Sequence, residues 1–264
     1  MSFRRKIDKK LLRKEKSYET KQLMKKKRSD EYKVLEEVLD RSTVITLYDF
    51  LSKGTIAEIY GAVKSGKEAK IYWGRGPDGR DLAIKIFLTV SSEFRKGKLI
   101  YIEGDPRFAY IRRDTRSLIN AWTLKEFKNL QLAHKVGVSV PEPIAVSNNV
   151  LIMTFIGEKG VSAPLIKETS LKKPYQTYRQ ILTYVKKLYQ KAELVHADLS
   201  EYNIMIWRGK PVLFDFSQGV SIEHMMADNF LRRDLKNLNR YFKKLGVDVP
   251  SLEEMYGSVT GGKS

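Results

Sequence analysis

Between Leu194 and Ser217 the chain reads LVHADLSEYNIMIWRGKPVLFDFS, and this stretch restricts the fold more tightly than any other. Two short apolar runs, Ile204-Met205-Ile206-Trp207 and Val212-Leu213-Phe214, carry β-branched and aromatic residues, and Arg208-Gly209-Lys210-Pro211 between them is turn material. The segment therefore predicts a hairpin. A hairpin returns the end of its second strand to the start of its first, so Asn203 and Asp215 end side by side although Asp215 comes twelve positions later. Either can then reach a common cation, with hard oxygen donors suited to Mg²⁺ or Mn²⁺. Taken singly, a His-x-Asp or an Asp-Phe pair occurs by chance, and a lone Asp at a strand end is usually a turn former. The spacing and the intervening hairpin give these residues a shared site.

The pattern H-x-D-L-x-x-x-N followed by D-F is the one that phosphoryl-transfer enzymes of the protein-kinase type use. In that reading Asp198 aligns the acceptor, while Asn203 and Asp215 hold metal. An upstream lobe for a nucleotide is then required, and its parts occur in the expected order. Leu82-Ala83-Ile84-Lys85-Ile86-Phe87 is a strand-like run interrupted by one lysine, matching V-A-I-K. A lysine in a strand is most often its solvent-facing position, but Lys85 has a candidate partner. Within 116–136, Ile119, Trp122, Leu130 and Ala133 recur at helical steps and Glu126 falls on the same stripe. A carboxylate amid an apolar face is costly unless paired.

The run Gly61-Ala62-Val63-Lys64-Ser65-Gly66-Lys67-Glu68 nearly spells a Walker A loop, but Glu68 stands where the metal-binding hydroxyl belongs. A Walker loop also opens a helix, whereas Ala69-Lys70-Ile71-Tyr72-Trp73 reads as a strand leading into a turn at Gly74–Gly79. In the register of a kinase glycine loop, Gly66 and Ala69 take the last two glycine positions, Ile71 the valine position, and Lys64 displaces the first glycine. The backbone amides of Ser65 to Ala69 can still cradle phosphates.

The motifs S-G-K-E-A-K-I-Y, A-I-K, W-T-L-K-E-F, V-H-A-D-L-S-E-Y-N-I and F-D-F-S-Q-G-V together resemble the RIO family of atypical protein kinases, the type-one subfamily most of all, from about Leu47 to Val247. The resemblance implies Asp198 as catalytic base, Asn203 and Asp215 as metal ligands, and Lys85 as the phosphate-binding lysine. It implies a phosphate loop of Ser65, Gly66, Lys67 and Ala69. It also implies an interlobe strand and hinge at Val150–Ile156, with Met153 as gatekeeper and the Thr154 and Ile156 backbones facing adenine. The implied cofactors are ATP and Mg²⁺ or Mn²⁺. The implied role is that of an ATP-dependent switch on small ribosomal subunit precursors, with Asp215 as a transient phosphoryl acceptor. Against ordinary kinases, Ser200 replaces a lysine, Ser217 replaces the glycine of D-F-G, and no A-P-E element follows.

Composition agrees with a polyanionic partner. The net charge is +18, and residues 1–30 hold thirteen Lys/Arg against four Asp/Glu. A leader of this kind either binds a phosphate backbone by counterion release or remains a solvated tail. A second basic segment, Phe94 to Arg116, has seven Lys/Arg among three acids with Tyr101, Phe108 and Tyr110, and suits a lid over ATP or an RNA contact. Without cysteine there is no disulfide, thiol catalysis or Cys-based zinc site. No apolar stretch is long enough to span a membrane, and no secretory leader is visible. Of the three histidines, His196 is expected to pack and hydrogen-bond in the catalytic loop, while His134 and His224 have no assigned role.

The expected fold is α+β: a bilobal protein-kinase-like fold lacking the activation segment and peptide-binding subdomains. Residues 1–45 would form a basic extension, helical or partly disordered. Residues 46–156 would form the N-lobe with a flexible basic insertion near 90–115, and 157–250 a helical C-lobe supported by a helix at Thr177–Glu193. Residues 251–264 are read as a tail. The expected setting is cytoplasmic, with rRNA, ribosomal proteins or assembly factors as partners. A small-molecule phosphotransferase of the aminoglycoside-kinase type and a non-catalytic RNA-binding assembly factor are the alternatives. The RIO-specific loops count against the first, and intact Lys85, Asp198, Asn203 and Asp215 against the second.

Overall fold

The structure, a computed structural model, describes residues 39–88, 98–108 and 114–262. It opens with α1 (Arg41–Ser52), capped by Asp40, whose carboxylate accepts the Ser42 and Thr43 amides at 3.0 and 3.2 Å. The expected boundary at residue 46 therefore falls inside a helix. A five-stranded antiparallel sheet follows, ordered β1 (Glu58–Ser65), β2 (Ala69–Arg75), β3 (Asp81–Phe87), β5 (Val150–Thr154), β4 (Pro143–Ser147). Helix α2 (Thr115–Lys135) packs across it.

Alternation along β3 explains why its lysine is not a solvent-facing one. Leu82, Ile84 and Ile86 point to one face and pack with Leu47 and Phe50 of α1. The other face carries Ala83, Lys85 and Phe87. Phe87 clusters there with Ile119 and Trp122 of α2, and Ala83 joins a core containing Leu130 and Met153. Both faces of the strand are therefore buried, and Lys85 is only 7% exposed.

A small hairpin, β6 (Gly157–Glu158) and β7 (Val161–Ser162), leads to the helical lobe. There α3 (Pro174–Ala192) starts with a proline at its first turn and buries Ile181, Val185 and Leu188. After β8 (Leu194–Val195), the predicted hairpin forms from β9 (Ile204–Trp207) and β10 (Lys210–Leu213). Its turn is only Arg208-Gly209, both at positive φ (49° and 75°), and Lys210 and Pro211 belong to the strand. Strand β11 (Val220–Ser221) pairs with β8, and only residues 222–226 separate it from α4 (Ala227–Lys244). No activation segment intervenes.

The stretch expected to be a tail carries α5 (Leu252–Thr260) instead. Ser251 and Glu254 form a reciprocal cap, and Met255 and Val259, one turn apart, enter the common core. Of the basic insertion, 98–102 is helical and Pro106–Phe108 is a 3-10 turn, with Ile102 and Phe108 packed beside Trp122. Residues 89–97 and 109–113, with Phe94 and Tyr110, lie outside the described residues, as do the leader to residue 38 and residues 263–264. No helix among the described residues is long and apolar enough to cross a membrane.

Candidate active site

Lys85 joins three elements at one atom. Its Nζ donates to the Glu126 carboxylate oxygens at 2.9 and 2.8 Å and to Asp215 Oδ1 at 3.0 Å. Glu126 is delivered by α2 and Asp215 by the end of the β9–β10 hairpin, where Phe214 N–H donates to Asn203 C=O at 3.1 Å. The strand lysine and the helix glutamate thus meet. Burial opposes the ammonium of Lys85, but the charges of Asp215 and Glu126 outweigh that and hold its pKa above the usual lysine value. Burial raises the Glu126 carboxyl, with Lys85 pulling it back.

Asp198 and Asn203 are brought together in the loop between β8 and β9. Asn203 Nδ2 donates to Asp198 C=O at 2.8 Å and to Asp198 Oδ2 at 3.0 Å, and Gln218 Nε2 reaches the same Oδ2 at 3.3 Å. Burial, then the charge of Asp215, push the Asp198 carboxyl above its usual range, while Asn203 opposes them. Asp215 goes the other way. Burial opposes its anion, but Lys85 and the Ser217 hydroxyl, which donates to Oδ1 at 2.9 Å, keep its pKa below the usual value. The serine that replaces the D-F-G glycine therefore steadies the aspartate it follows.

The backbone here is strained and anchored. Ala197 and Asp215 both lie at positive φ (63° and 61°), a conformation that persists in such residues only when surroundings enforce it. For Ala197 the anchor is Asp234 of α4, whose two carboxylate oxygens accept the Ala197 and Leu199 amides at 2.8 and 2.9 Å. Arg233 donates to the Ala197 carbonyl as well. His196 is buried, hydrogen-bonds Phe214 C=O at 3.1 Å and packs on Phe216, the scaffolding place expected for it. His224 receives an unexpected one, against the Ile100 and Glu103 carbonyls of the insertion.

The donor set fits a hard divalent cation. With Asn203 Nδ2 occupied, its carboxamide oxygen is left for a ligand, and Asp215 keeps Oδ2 beside the bonded Oδ1. Among the described residues no group of three or more His, Asp or Glu side chains assembles a self-sufficient metal centre. An ion such as Mg²⁺ would then complete its shell with phosphate and water oxygens, which is its usual habit.

Ser65 and Ala69 flank the hairpin tip between β1 and β2, where Gly66 N–H donates to Ala69 C=O at 3.0 Å and Lys67 is exposed. Ile71 pairs directly with Lys85 across β2 and β3. Lys98 of the insertion binds Glu68 at 2.8 Å, which places the insertion against this tip. At the hinge Met153 is buried opposite Ala83. The Thr154 amide is committed to Glu142 C=O and the Ile156 carbonyl to the Ala163 amide. Only the Thr154 carbonyl and the Ile156 amide are therefore left to face an adenine.

Sequence reasoning missed Asp234, Asn129 and Lys125. Each is a polar residue on the buried face of an amphipathic helix. Asp234 falls between Phe230 and Leu238 at four-residue steps, and Lys125 and Asn129 follow Trp122 at three and seven, so the signal was present.

Two lobes meeting at this lysine, carboxylate and carboxamide cluster define a protein-kinase-like protein, without the activation segment that peptide-phosphorylating members carry. The RIO domain model matches residues 70–255, and the chain belongs to the RIO family. It is similar to the RIO-type serine/threonine-protein kinase Rio1 of Haloferax volcanii, 41% identical over 186 residues, covering 70% of this chain and 63% of the relative. For Rio1 of Methanocaldococcus jannaschii the identity is 37% over 179 residues, 68% of this chain and 61% of the relative. The match therefore spans somewhat under two thirds of these relatives' length. Among solved structures, the Rio2 kinase-ADP/Mg²⁺-phosphoaspartate complex from Chaetomium thermophilum superposes with a TM-score of 0.63 at 21% identity, over 84% of this chain and 67% of that one, which establishes the shared fold.

Proposed function

We propose that this chain transfers the γ-phosphoryl group of ATP, as an atypical serine/threonine protein kinase or an ATPase, with Mg²⁺ or Mn²⁺ bound at Asn203 and Asp215. The observation that carries this reading is the Lys85 bridge to both Glu126 and Asp215, because it holds a phosphate-orienting ammonium and a metal-binding carboxylate in one arrangement. The two key carboxylates are also driven apart, and such divergence separates a proton acceptor from a ligand. Asp198, held above its usual range, takes the proton from the attacking hydroxyl or water. Asp215, held below it, stays anionic. The cation, when bound, supplies neutralisation of charge on the phosphates. The amides of Ser65, Lys67 and Ala69 would face the phosphates, Gly66 shaping the tip through its bond to the Ala69 carbonyl, with Ile71, Met153, Thr154 and Ile156 around the base.

A second use of Asp215 is supported by its half-open position: the side chain is 39% exposed and Oδ2 is left over from its hydrogen bonds. In it, Oδ2 attacks the γ-phosphorus, the bond to the bridging oxygen breaks, and ADP leaves. Water then hydrolyses the acyl phosphate to free phosphate and restores the carboxylate. The Chaetomium Rio2 structure is a complex containing such a phosphoaspartate.

The finer role proposed is ATP-driven maturation of small ribosomal subunit precursors in the cytoplasm, with rRNA and ribosomal proteins or assembly factors as partners. The net charge of +18 and the resemblance to type-one RIO proteins support it. The test is γ-labelled ATP with the purified chain, alone and with small ribosomal subunits. Label on the chain, on a partner or in free phosphate separates autokinase, kinase and ATPase. No metal-dependent release or transfer of label in either condition contradicts the reading.

A further inference from the structure

We propose that Lys125 and Asn129, one turn apart on α2, are positioning residues that clamp the Phe216–Gly219 turn and thereby hold Asp215 in its ligand conformation. The proposal rests on the ligand role given to Asp215 above. Both side chains are fully buried. Asn129 Nδ2 donates to Phe216 C=O at 2.9 Å and to Gly219 C=O at 2.8 Å. Lys125 Nζ donates to the Gly219 carbonyl and reaches Ser217 C=O at 3.4 Å. Three carbonyls of one four-residue turn are thus held by a single helix.

The fit is close and oriented. A Cβ on Gly219 would lie 2.9 Å from Asn129 Nδ2, so only glycine lets the turn approach the helix this way. Asn129 is itself fixed from the other side, because Arg107 of the insertion donates to its Oδ1 at 2.8 Å while holding Asp105. Its amide nitrogen must therefore face the turn. Burial depresses the Lys125 ammonium to about 7, Asp105 and then Glu126 opposing the shift and Arg107 adding to it; charged or neutral, Nζ remains a hydrogen-bond donor to the two carbonyls.

The consequence concerns Asp215. It sits at φ 61° and ψ 64°, immediately before the clamped turn, and needs surroundings that enforce this conformation. Glu126 lies next to Lys125 on α2, so the helix that fixes the phosphate lysine also fixes the metal ligand. Only residues 222–226 lie between β11 and α4, so no activation segment follows the turn.

The test uses the full chain with Asn129→Ala, which removes both amide donations, and Lys125→Met, which keeps the packed stem. Thermal unfolding first establishes which variants fold. Hydrogen exchange of residues 214–221 is then followed, with the β9–β10 hairpin as internal reference. Mn²⁺ binding is measured by electron paramagnetic resonance with a non-hydrolysable ATP analogue. Exchange should become about ten-fold faster and Mn²⁺ binding about ten-fold weaker, with nucleotide affinity in EDTA within roughly two-fold of the parent. Unchanged exchange in a folded variant overturns the clamp. Faster exchange with unchanged Mn²⁺ affinity overturns its link to Asp215. If the parent itself binds no Mn²⁺ with nucleotide, the ligand role of Asp215 fails instead, and the exchange result still decides the clamp. Should Lys125→Met not fold, Asn129→Ala alone decides.

Discussion

Replacing Glu126 by leucine removes one carboxylate from a place where water cannot substitute for it. Glu126 is 1% exposed and receives two hydrogen bonds from a lysine whose side chain is 9% exposed. Breaking such a buried pair from one side costs ~3–5 kcal/mol, because a charge remains without its partner. Lys85 keeps Asp215 at 3.0 Å, and that side chain is 39% exposed and can be hydrated, so the low end applies. At about 3 kcal/mol and ~2–4 °C per kcal/mol for a chain of this size, Tm falls by roughly 6–12 °C. Any phosphoryl transfer falls by about a hundred-fold, since the lysine is no longer held on the phosphates. The double variant Lys85→Met with Glu126→Leu should recover most of the stability, because replacing a whole buried pair by apolar groups is close to neutral. It should recover none of the activity. Differential scanning calorimetry and ATP turnover on the four proteins of the cycle measure both. A Glu126→Leu stability within ~0.5 kcal/mol of the parent, or single-variant losses that merely add in the double variant, would refute the picture of a desolvated pair.

Three other outcomes are expected. Burial lowers the His196 imidazole to about 4 from its usual 6.5, so the unfolded chain binds the extra proton first as pH falls; this stability is complete above 6.5 and lost as pH drops through 4. The contribution is about 3 kcal/mol, and His196→Phe should flatten the acid limb of urea-unfolding free energies by that order, an identical acid limb being the contrary result. Asp234→Asn leaves one of the Ala197 and Leu199 amides without its acceptor and should cost ~1–3 kcal/mol in urea unfolding while lowering kcat more than it raises KM. Asp215→Ala should abolish the Mg²⁺ dependence of ATP binding in calorimetric titration, whereas an equal gain on adding Mg²⁺ in parent and variant would remove Asp215 from the ligand set.

The parts of the site that were legible in the sequence are those whose chemistry is local or periodic. The β9–β10 hairpin could be read because its strands and turn lie within ten residues, and it alone brings Asn203 to Phe214 and Asp215. The Lys85–Glu126 pair could be read because a glutamate on an apolar stripe needs a partner and the strand lysine offered one. What escaped was support from a distance. Asp234 holds a loop 35 and 37 residues away, and Lys125 and Asn129 hold a turn some ninety residues away, contacts that only the packed lobes create. The C-terminal helix escaped for another reason. Its Met255 and Val259 spacing and its Ser251–Glu254 cap were visible, but its Gly- and Ser-containing end reads as a tail when taken by composition alone.

Asp198 is the residue on which the chemistry turns. The most direct measurement compares ATP turnover, with release or transfer of the γ-phosphate, and nucleotide affinity in the parent and in Asp198→Ala, both with saturating Mg²⁺. Turnover lost by about a thousand-fold, with affinity within roughly three-fold of the parent, is the predicted result for a proton acceptor that does not hold the nucleotide. Undiminished turnover in the variant would contradict the assignment of Asp198 as the base, and with it the phosphoryl-transfer mechanism built around this loop.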